Sequence, residues 1–303
     1  MSTSPQPGNT RPADPTVAQR LLRPVLLLAV YTLGISYVDW LLDDAIKVSP
    51  AAHAALGTIL GLLLVVRTNT AYDRWWEGRK LWGQLVNELR NLAVKAQATV
   101  RVDAAAKRDF GRMLVNFARA LKEHLRDGAL IQHLTMYVRL DEPAAPTHIP
   151  LDIALRIRQR IFEWRREGFI DGFEELMFDP HARALMEVCG ACERIRRTPV
   201  IPSYRAFTLQ SIYLYLLTLP WALVDQLGWY AAPAISIIAY FMLGLEVVAE
   251  DAAEPFGHTQ DDLLLDDICR TLEASIEEVS NKGMTLRQML DRPPPATAPA
   301  ASP

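Results

Sequence analysis

Apolar residues gather near the two ends of the chain and leave a long charged region between them. Residues 24–38 read PVLLLAVYTLGISYV without a formal charge, and Trp40, Leu41 and Leu42 extend the run past Asp39. Residues 49–66 (SPAAHAALGTILGLLLVV), 207–224 (FTLQSIYLYLLTLPWALV) and 227–245 (LGWYAAPAISIIAYFMLGL) repeat the pattern. An α-helix rises about 1.5 Å per residue, so about 20 apolar residues cross a hydrocarbon layer of roughly 30 Å. Leu and Ala dominate and nothing alternates with period two, which speaks against strands. The pattern predicts an all-α, multi-pass membrane protein with four transmembrane helices. A buried core helix is the alternative for any one run; four such runs in one chain favour lipid.

The links between the runs set a topology. The first pair is joined through Asp43, Asp44 and Lys47 and the second through Asp225 and Gln226, so each pair is expected to fold as a short-looped hairpin. The opposite side then carries Arg11, Arg20, Arg23, Arg67, Arg74, Arg79 and Lys80. Basic flanks stay cytoplasmic, which puts both termini and the middle of the chain on the cytoplasmic side. Trp40, Trp221, Trp229 and Tyr230 fall near the ends of the runs, where amphipathic rings favour the interface. The first run lacks a small-residue cleavage site and is expected to stay as an uncleaved anchor. The expected division is an N-terminal cytosolic segment (1–20), a first hairpin (21–66), a cytosolic helical region (67–206), a second hairpin (207–248), C-terminal cytosolic helices (249–290) and a disordered tail (291–303).

The middle region shows helical stripes. Phe110, Leu114, Phe117 and Leu121 recur at spacings of three and four, and Leu265, Ile268, Leu272, Ile276 and Val279 do the same. The prolines of residues 141–150 predict an interruption, followed by helices over 151–173 and 182–197. No proline interrupts the chain from Ala51 to Ala98, so the second apolar run is expected to continue as a helix far beyond the bilayer.

Candidate chemistry adds little. Cys189 and Cys192 form CGAC, a redox or half-zinc spacing, but helix packing is the favoured reading, and the only other cysteine is Cys269. The six histidines follow no metal-binding spacing, and neither a P-loop nor a dinucleotide fingerprint occurs. No catalytic residue, cofactor or metal site is therefore expected, and the chain does not read as an enzyme. With 32 basic and 35 acidic residues, it does not suggest a nucleic-acid partner. Its expected partners are the lipid bilayer, small inorganic ions and further copies of itself.

A pore is the function that the remaining geometry suits. Thr58, Leu62 and Val66 are four apart and share one face of the second apolar helix; rings of them in an oligomer would form an apolar neck able to gate by dewetting. The alternative is that this stripe packs on a neighbouring helix. Gly57 and Gly61 adjoin it at a spacing that permits close helix contact.

Residues 68–83, TNTAYDRWWEGRKLWG, include Asp73, Arg74, Trp75, Trp76 and Glu77 and resemble the signature of bacterial bestrophin homologues. A second match, EDAAEPFG at 250–257, includes Pro255, Phe256 and Gly257 and is followed by DDLLLDDICRTLE. The resemblance covers roughly residues 20–290. It implies a homopentamer with one central pore, a neck lined by Thr58, Leu62 and Val66, and a cytosolic aperture at Ile201, matched through the run at 198–202. Family necks carry bulkier Ile or Phe rings, so Thr58 and Val66 are departures. Animal members place a run of acids after the second motif to bind calcium. Here His258, Thr259, Gln260, Asp261 and Asp262 stand there, a degenerate version that implies weak or absent calcium gating. The resemblance implies passage of chloride or other small anions; a monovalent cation channel of the same architecture and a non-conducting membrane scaffold are the alternatives.

Overall fold

The computed structural model describes residues 16–42, 49–126, 148–259 and 261–290, with the backbone alone described for 281–290. Every regular element among them is helical. The helices are α1 (Val17–Leu41), α2 (Ala51–Thr99), α3 (Ala104–Leu125), α4 (Ile149–Arg166), α5 (Gly172–Arg197), α6 (Pro202–Leu227), α7 (Ala231–Ala252) and α8 (Leu265–Leu290), with a short 3₁₀ turn at Gly228–Tyr230 between α6 and α7. The expected link through Asp43, Asp44 and Lys47, the expected interruption at 141–147, Gln260 and the tail from 291 lie outside the described residues. The chain divides into two units, 1–77 with 198–263 and 78–197 with 264–303.

In the first unit, α1, α6, α7 and the start of α2 share one core. Leu21 and Leu28 of α1 meet Leu60 and Leu64 of α2, Ile212, Leu216 and Leu219 of α6, and Ile235, Ala239 and Leu243 of α7. The outward faces are equally apolar: Leu27, Val30, Leu214 and Phe241 are all exposed, Leu27 at 72%. A helix that is hydrophobic all round and only half covered by protein has lipid as its natural surroundings. Three helical stretches among the described residues are long and apolar enough to cross a bilayer: Val17–Leu41, Ala51–Thr99 and Pro202–Ala252, the last containing α6, the 3₁₀ turn and α7. Several polar side chains of this unit find partners within it, as a medium without water favours. The Thr32 hydroxyl donates to the Leu28 carbonyl at 2.8 Å, the Tyr31 hydroxyl to that of Leu217 at 3.1 Å, and Trp221 Nε1 to the Tyr31 hydroxyl at 2.9 Å. Gly228 ends α6 with φ of 51°, a conformation that favours glycine. Trp40, Trp221, Trp229 and Tyr230 are exposed.

The second unit packs α3, α4, α5, α8 and the rest of α2 around a soluble-type core. Phe110, Leu114, Phe117 and Leu121 are buried as one stripe, and the Phe110 and Trp164 rings lie 4.8 Å apart. Trp82, Leu85, Leu89 and Leu92 bring one face of α2 into this unit, and Leu265, Leu272 and Ile276 bring in α8. Cys189 and Cys192 are buried on α5, in keeping with a packing role. Burial pushes the Cys189 thiol up to about 12, far from a reactive thiolate.

Several boundaries differ from the sequence pattern, each for a local reason. Helix α1 starts at Val17, inside the segment expected to precede the membrane, because Thr16 and Gln19 form a capping box there. Pro24 then sits within the helix. The expected interruption at 141–150 ends early: α4 begins at Ile149, and Pro150 fits its first turn, where the missing N–H is no loss. The helix expected over 151–173 stops at Arg166, because Gly168 takes φ of 77° and the Phe169 amide turns back to the Trp164 carbonyl at 2.9 Å. Helix α5 starts at Gly172, well before the expected 182, and accommodates Pro180. Its loss is one backbone bond, to residue 176, and Leu176 is exposed.

Asp266, in the first turn of α8, ties that helix to α3. Lys122 Nζ and Arg126 Nη1 donate to its two oxygens at 2.6 and 2.7 Å. Burial works against its charge, but these two hydrogen bonds outweigh it and bring the carboxyl down to about 2. A folded value below the unfolded one, about 3.9, gives stability that is complete above the unfolded value and is lost as pH falls through about 2. The side chain is 59% exposed, which limits the effect to about 1 kcal/mol or less. Asp266→Asn is expected to remove this acid-range slope from the thermal midpoint of the detergent-solubilised protein.

Candidate functional site

Helix α2 presents two different faces within the first unit. Leu60, Leu64, Arg67 and Ala71, spaced three and four apart, are buried against its neighbours. Thr58, Leu62 and Val66 lie on another face and are exposed, Leu62 at 65% and Val66 at 55%. Among the described residues, the stripe therefore does not pack on a neighbouring helix of its own chain. The Thr58 hydroxyl donates to the Ala54 carbonyl at 3.0 Å, so its proton is used inside the helix and its lone pairs face outward. Of the two glycines, Gly57 serves a close approach: a Cβ there would stand 2.8 Å from the Tyr215 hydroxyl of α6. A Cβ at Gly61 would meet nothing within 4 Å.

The signature residues converge on the segment that follows α7. Arg74 donates through Nε to the Ala253 carbonyl at 3.0 Å and through Nη1 to the Thr198 carbonyl at 2.7 Å. Trp75 Nε1 donates to the Asp261 carbonyl at 3.0 Å. These donors satisfy carbonyls that no helix serves, which explains why one arginine and one tryptophan are needed side by side. Desolvation by burial lowers the Arg74 pKa despite the opposing charges of Glu77 and Glu254. Arg20 donates to both oxygens of Asp251, at 2.8 and 2.7 Å, and Arg205 pairs with Glu250. Ile201 is the N-cap of α6, ahead of Pro202, and is 69% exposed. Asp73 and Trp76 are exposed.

The second motif closes a compact loop. Phe256 is buried, the Leu263 amide donates to the Pro255 carbonyl at 2.9 Å, and the Thr259 amide donates to Asp262 Oδ2 at 2.5 Å. Asp262 is itself buried, so this carboxylate is committed to the loop backbone. His258 and Asp261 are exposed, and the Asp261 carbonyl is occupied by Trp75. Gly257 is required by this closure: a Cβ would stand 2.6 Å from Asp262 Oδ2, and that short side chain cannot retreat without releasing Thr259. Gly257→Ala is expected to cost about 1–3 kcal/mol. Gly190→Ala, at a helical position with nothing within 4 Å, is the control and is expected to stabilise by about 0.5–1 kcal/mol. Thermal unfolding of the two variants in detergent compares them.

A buried ion pair completes the site. Arg67 and Glu246, at 2% and 4% side-chain exposure, approach to 3.4 Å. Sequence reasoning used Arg67 only as a topology signal and did not single out Glu246. A glutamate among the apolar residues of α7 was the available signal.

Comparison with known proteins agrees with this frame. The family described as "Bacterial/Fungal Bestrophin protein" matches residues 10–278. A voltage-dependent anion channel-forming protein of Synechocystis is 34% identical over 276 residues, covering 88% of this chain and 87% of that protein. The voltage-dependent anion channel-forming protein YneE of Escherichia coli K12 is 30% identical over 275 residues, covering 88% and 89%. A crystal structure of a bacterial bestrophin homologue from Klebsiella pneumoniae superposes with a TM-score of 0.79 at 26% identity, covering 86% of this chain and 99% of that one. The match runs through both signature motifs and most of the helical frame, and this chain belongs to the bacterial and fungal bestrophin family.

Proposed function

We propose that the chain is the pore-forming subunit of a homopentameric anion channel in the bacterial inner membrane. Chloride or other small anions pass a central apolar neck in this reading. The observation that carries it is the exposed face of Thr58, Leu62 and Val66 on a helix whose other face is buried in its own subunit. Identical copies around an axis turn that face into rings, and closed cyclic symmetry is the usual arrangement. Relatives that cover most of the chain are named voltage-dependent anion channel-forming proteins, which supports anions as the permeant class.

In this arrangement α1, the first part of α2, α6 and α7 are the four spans. The hairpins run over residues 21–66 and 207–248, both termini are cytoplasmic, and 67–206 with 249–290 lie in the cytosol. Ile201, exposed at the start of α6, forms the cytosolic aperture. Calcium gating is weak or absent in this reading, which the bond from the Thr259 amide to Asp262 Oδ2 supports. One observation favours the second reading, a monovalent cation channel: Thr58 turns lone pairs rather than an O–H toward the neck.

The test is native mass measurement of the purified protein together with halide efflux from liposomes. Five copies per particle and protein-dependent efflux are expected. A stable monomer, or a pentamer without any ion flux, would overturn the proposal, the latter in favour of a scaffold.

A further inference from the structure

Three side chains that the pore does not use meet in the second unit. His124 lies in the last turn of α3, His148 caps the start of α4, and Glu193 lies on α5. Both imidazole Nε2 atoms point at the same carboxylate oxygen, Glu193 Oε1, from 2.6 and 2.8 Å. The two rings lie 4.6 Å apart, and the three donor atoms all fall within 4.8 Å of one another. Donors about 2.1 Å from a common four-coordinate ion sit roughly 3.4 Å apart, so small side-chain movements suffice to admit one.

We propose that His124, His148 and Glu193 bind one divalent transition-metal ion of the zinc class where α3, α4 and α5 meet. Two imidazoles and a carboxylate are the donor set that zinc and its neighbours accept. The three side chains are 22%, 29% and 19% exposed, open enough for an ion to enter and for water to hold the fourth position. Burial disfavours charge on Glu193, yet the hydrogen bonds from His124 and His148 outweigh it and hold the carboxyl below its usual range, so the anionic ligand is ready. Cys189, one turn earlier on α5, points its thiol at Glu193 Oε1 from 4.0 Å.

Metal entry has a definite proton balance. His148 Nδ1 accepts the Leu151 amide at 3.1 Å, so in the metal-free protein the ring proton sits on Nε2 and is donated to Glu193. Ligation through Nε2 moves that proton to Nδ1 and releases the Leu151 amide to solvent, which the half-exposed Leu151 can reach. The His124 proton shifts to Nδ1 in the same way, so both rings bind as neutral imidazoles with no net proton released, and the ion pins three helices at one point.

The experiment is zinc titration of the full-length protein in detergent, by competition with a chromophoric chelator. Cobalt(II) serves as the spectroscopic probe of coordination. One zinc per chain is expected, with at least tenfold weaker binding in His124→Ala and in Glu193→Gln, and no change in His258→Ala. Cobalt is expected to give the intense visible bands of a four-coordinate site in the parent protein and to lose them in both variants. Glu193→Gln keeps an acceptor for both rings, so an unchanged elution volume identifies it as folded. No zinc at chelator-competitive affinity, or binding that His124→Ala and Glu193→Gln leave intact, would overturn the assignment and reduce the cluster to a hydrogen-bonded triad. None of these readouts depends on conduction.

Discussion

Replacing Leu62 and Val66 together by alanine raises ion flux by at least about tenfold, the equivalent of lowering a barrier by about 1.4 kcal/mol. Leu62 and Val66 project from the face of α2 that its own subunit leaves open. In a ring of identical copies, each truncation acts once per subunit, so a modest local change widens the whole constriction. A narrow apolar ring also excludes water, and an ion must shed hydration to pass it without any compensating polar partner. Shorter side chains let the neck fill. If the same face packs helix against helix, the double substitution leaves cavities instead, and the expected result is lost assembly with no gain in flux. Efflux from liposomes, read beside native mass on the same preparation, separates the outcomes.

The second large effect concerns Arg67 and Glu246. Their charges are almost fully covered, and each leaves one atom unpartnered, Arg67 Nη1 and Glu246 Oε2. Two buried charges at 3.4 Å offset each other's desolvation; one alone cannot. Arg67→Ala strands the carboxylate and is expected to cost about 3–5 kcal/mol, with Glu246→Gln costing less because its amide remains polar and neutral. Replacing both residues by methionine is expected to recover most of the loss. Thermal unfolding of the three variants in one detergent measures the coupling. If Arg67→Ala and the double variant were equally destabilised, the pair would be packing rather than electrostatics.

Much of this molecule was legible in its sequence because lipid imposes a coarse and reliable code. The uninterrupted path from Ala51 onward became the 49-residue α2, since no proline or glycine pair broke it. Phe110, Leu114, Phe117 and Leu121 became a buried stripe, as period predicted. The misses came where one residue's backbone decided the outcome. Gly168 ended α4 by adopting positive φ, although its neighbours Ile170 and Phe173 kept the apolar pattern going. Thr16 and Gln19 began α1 before the apolar run did. The opposite error concerned Pro180, which interrupts a pattern more readily than it interrupts a packed helix.

The same distinction holds for functional residues. That Thr58, Leu62 and Val66 share one face was legible in their spacing, since a face has a period, but whether that face is covered was not. The roles of Arg74, Trp75 and Gly257 were visible only as a motif, because each acts on a carbonyl or a carboxylate whose position the loop after α7 fixes. His124, His148 and Glu193 come from three different helices, and no local spacing announces them.

Reversal potential across a salt gradient, recorded from the purified protein in a planar bilayer, bears most directly on the central claim of an anion-conducting pore. A reversal close to the chloride equilibrium potential is expected, unchanged when the cation is replaced by a large organic one. Reversal at the equilibrium potential of the monovalent cation, or a bilayer that stays silent with protein incorporated, would contradict it.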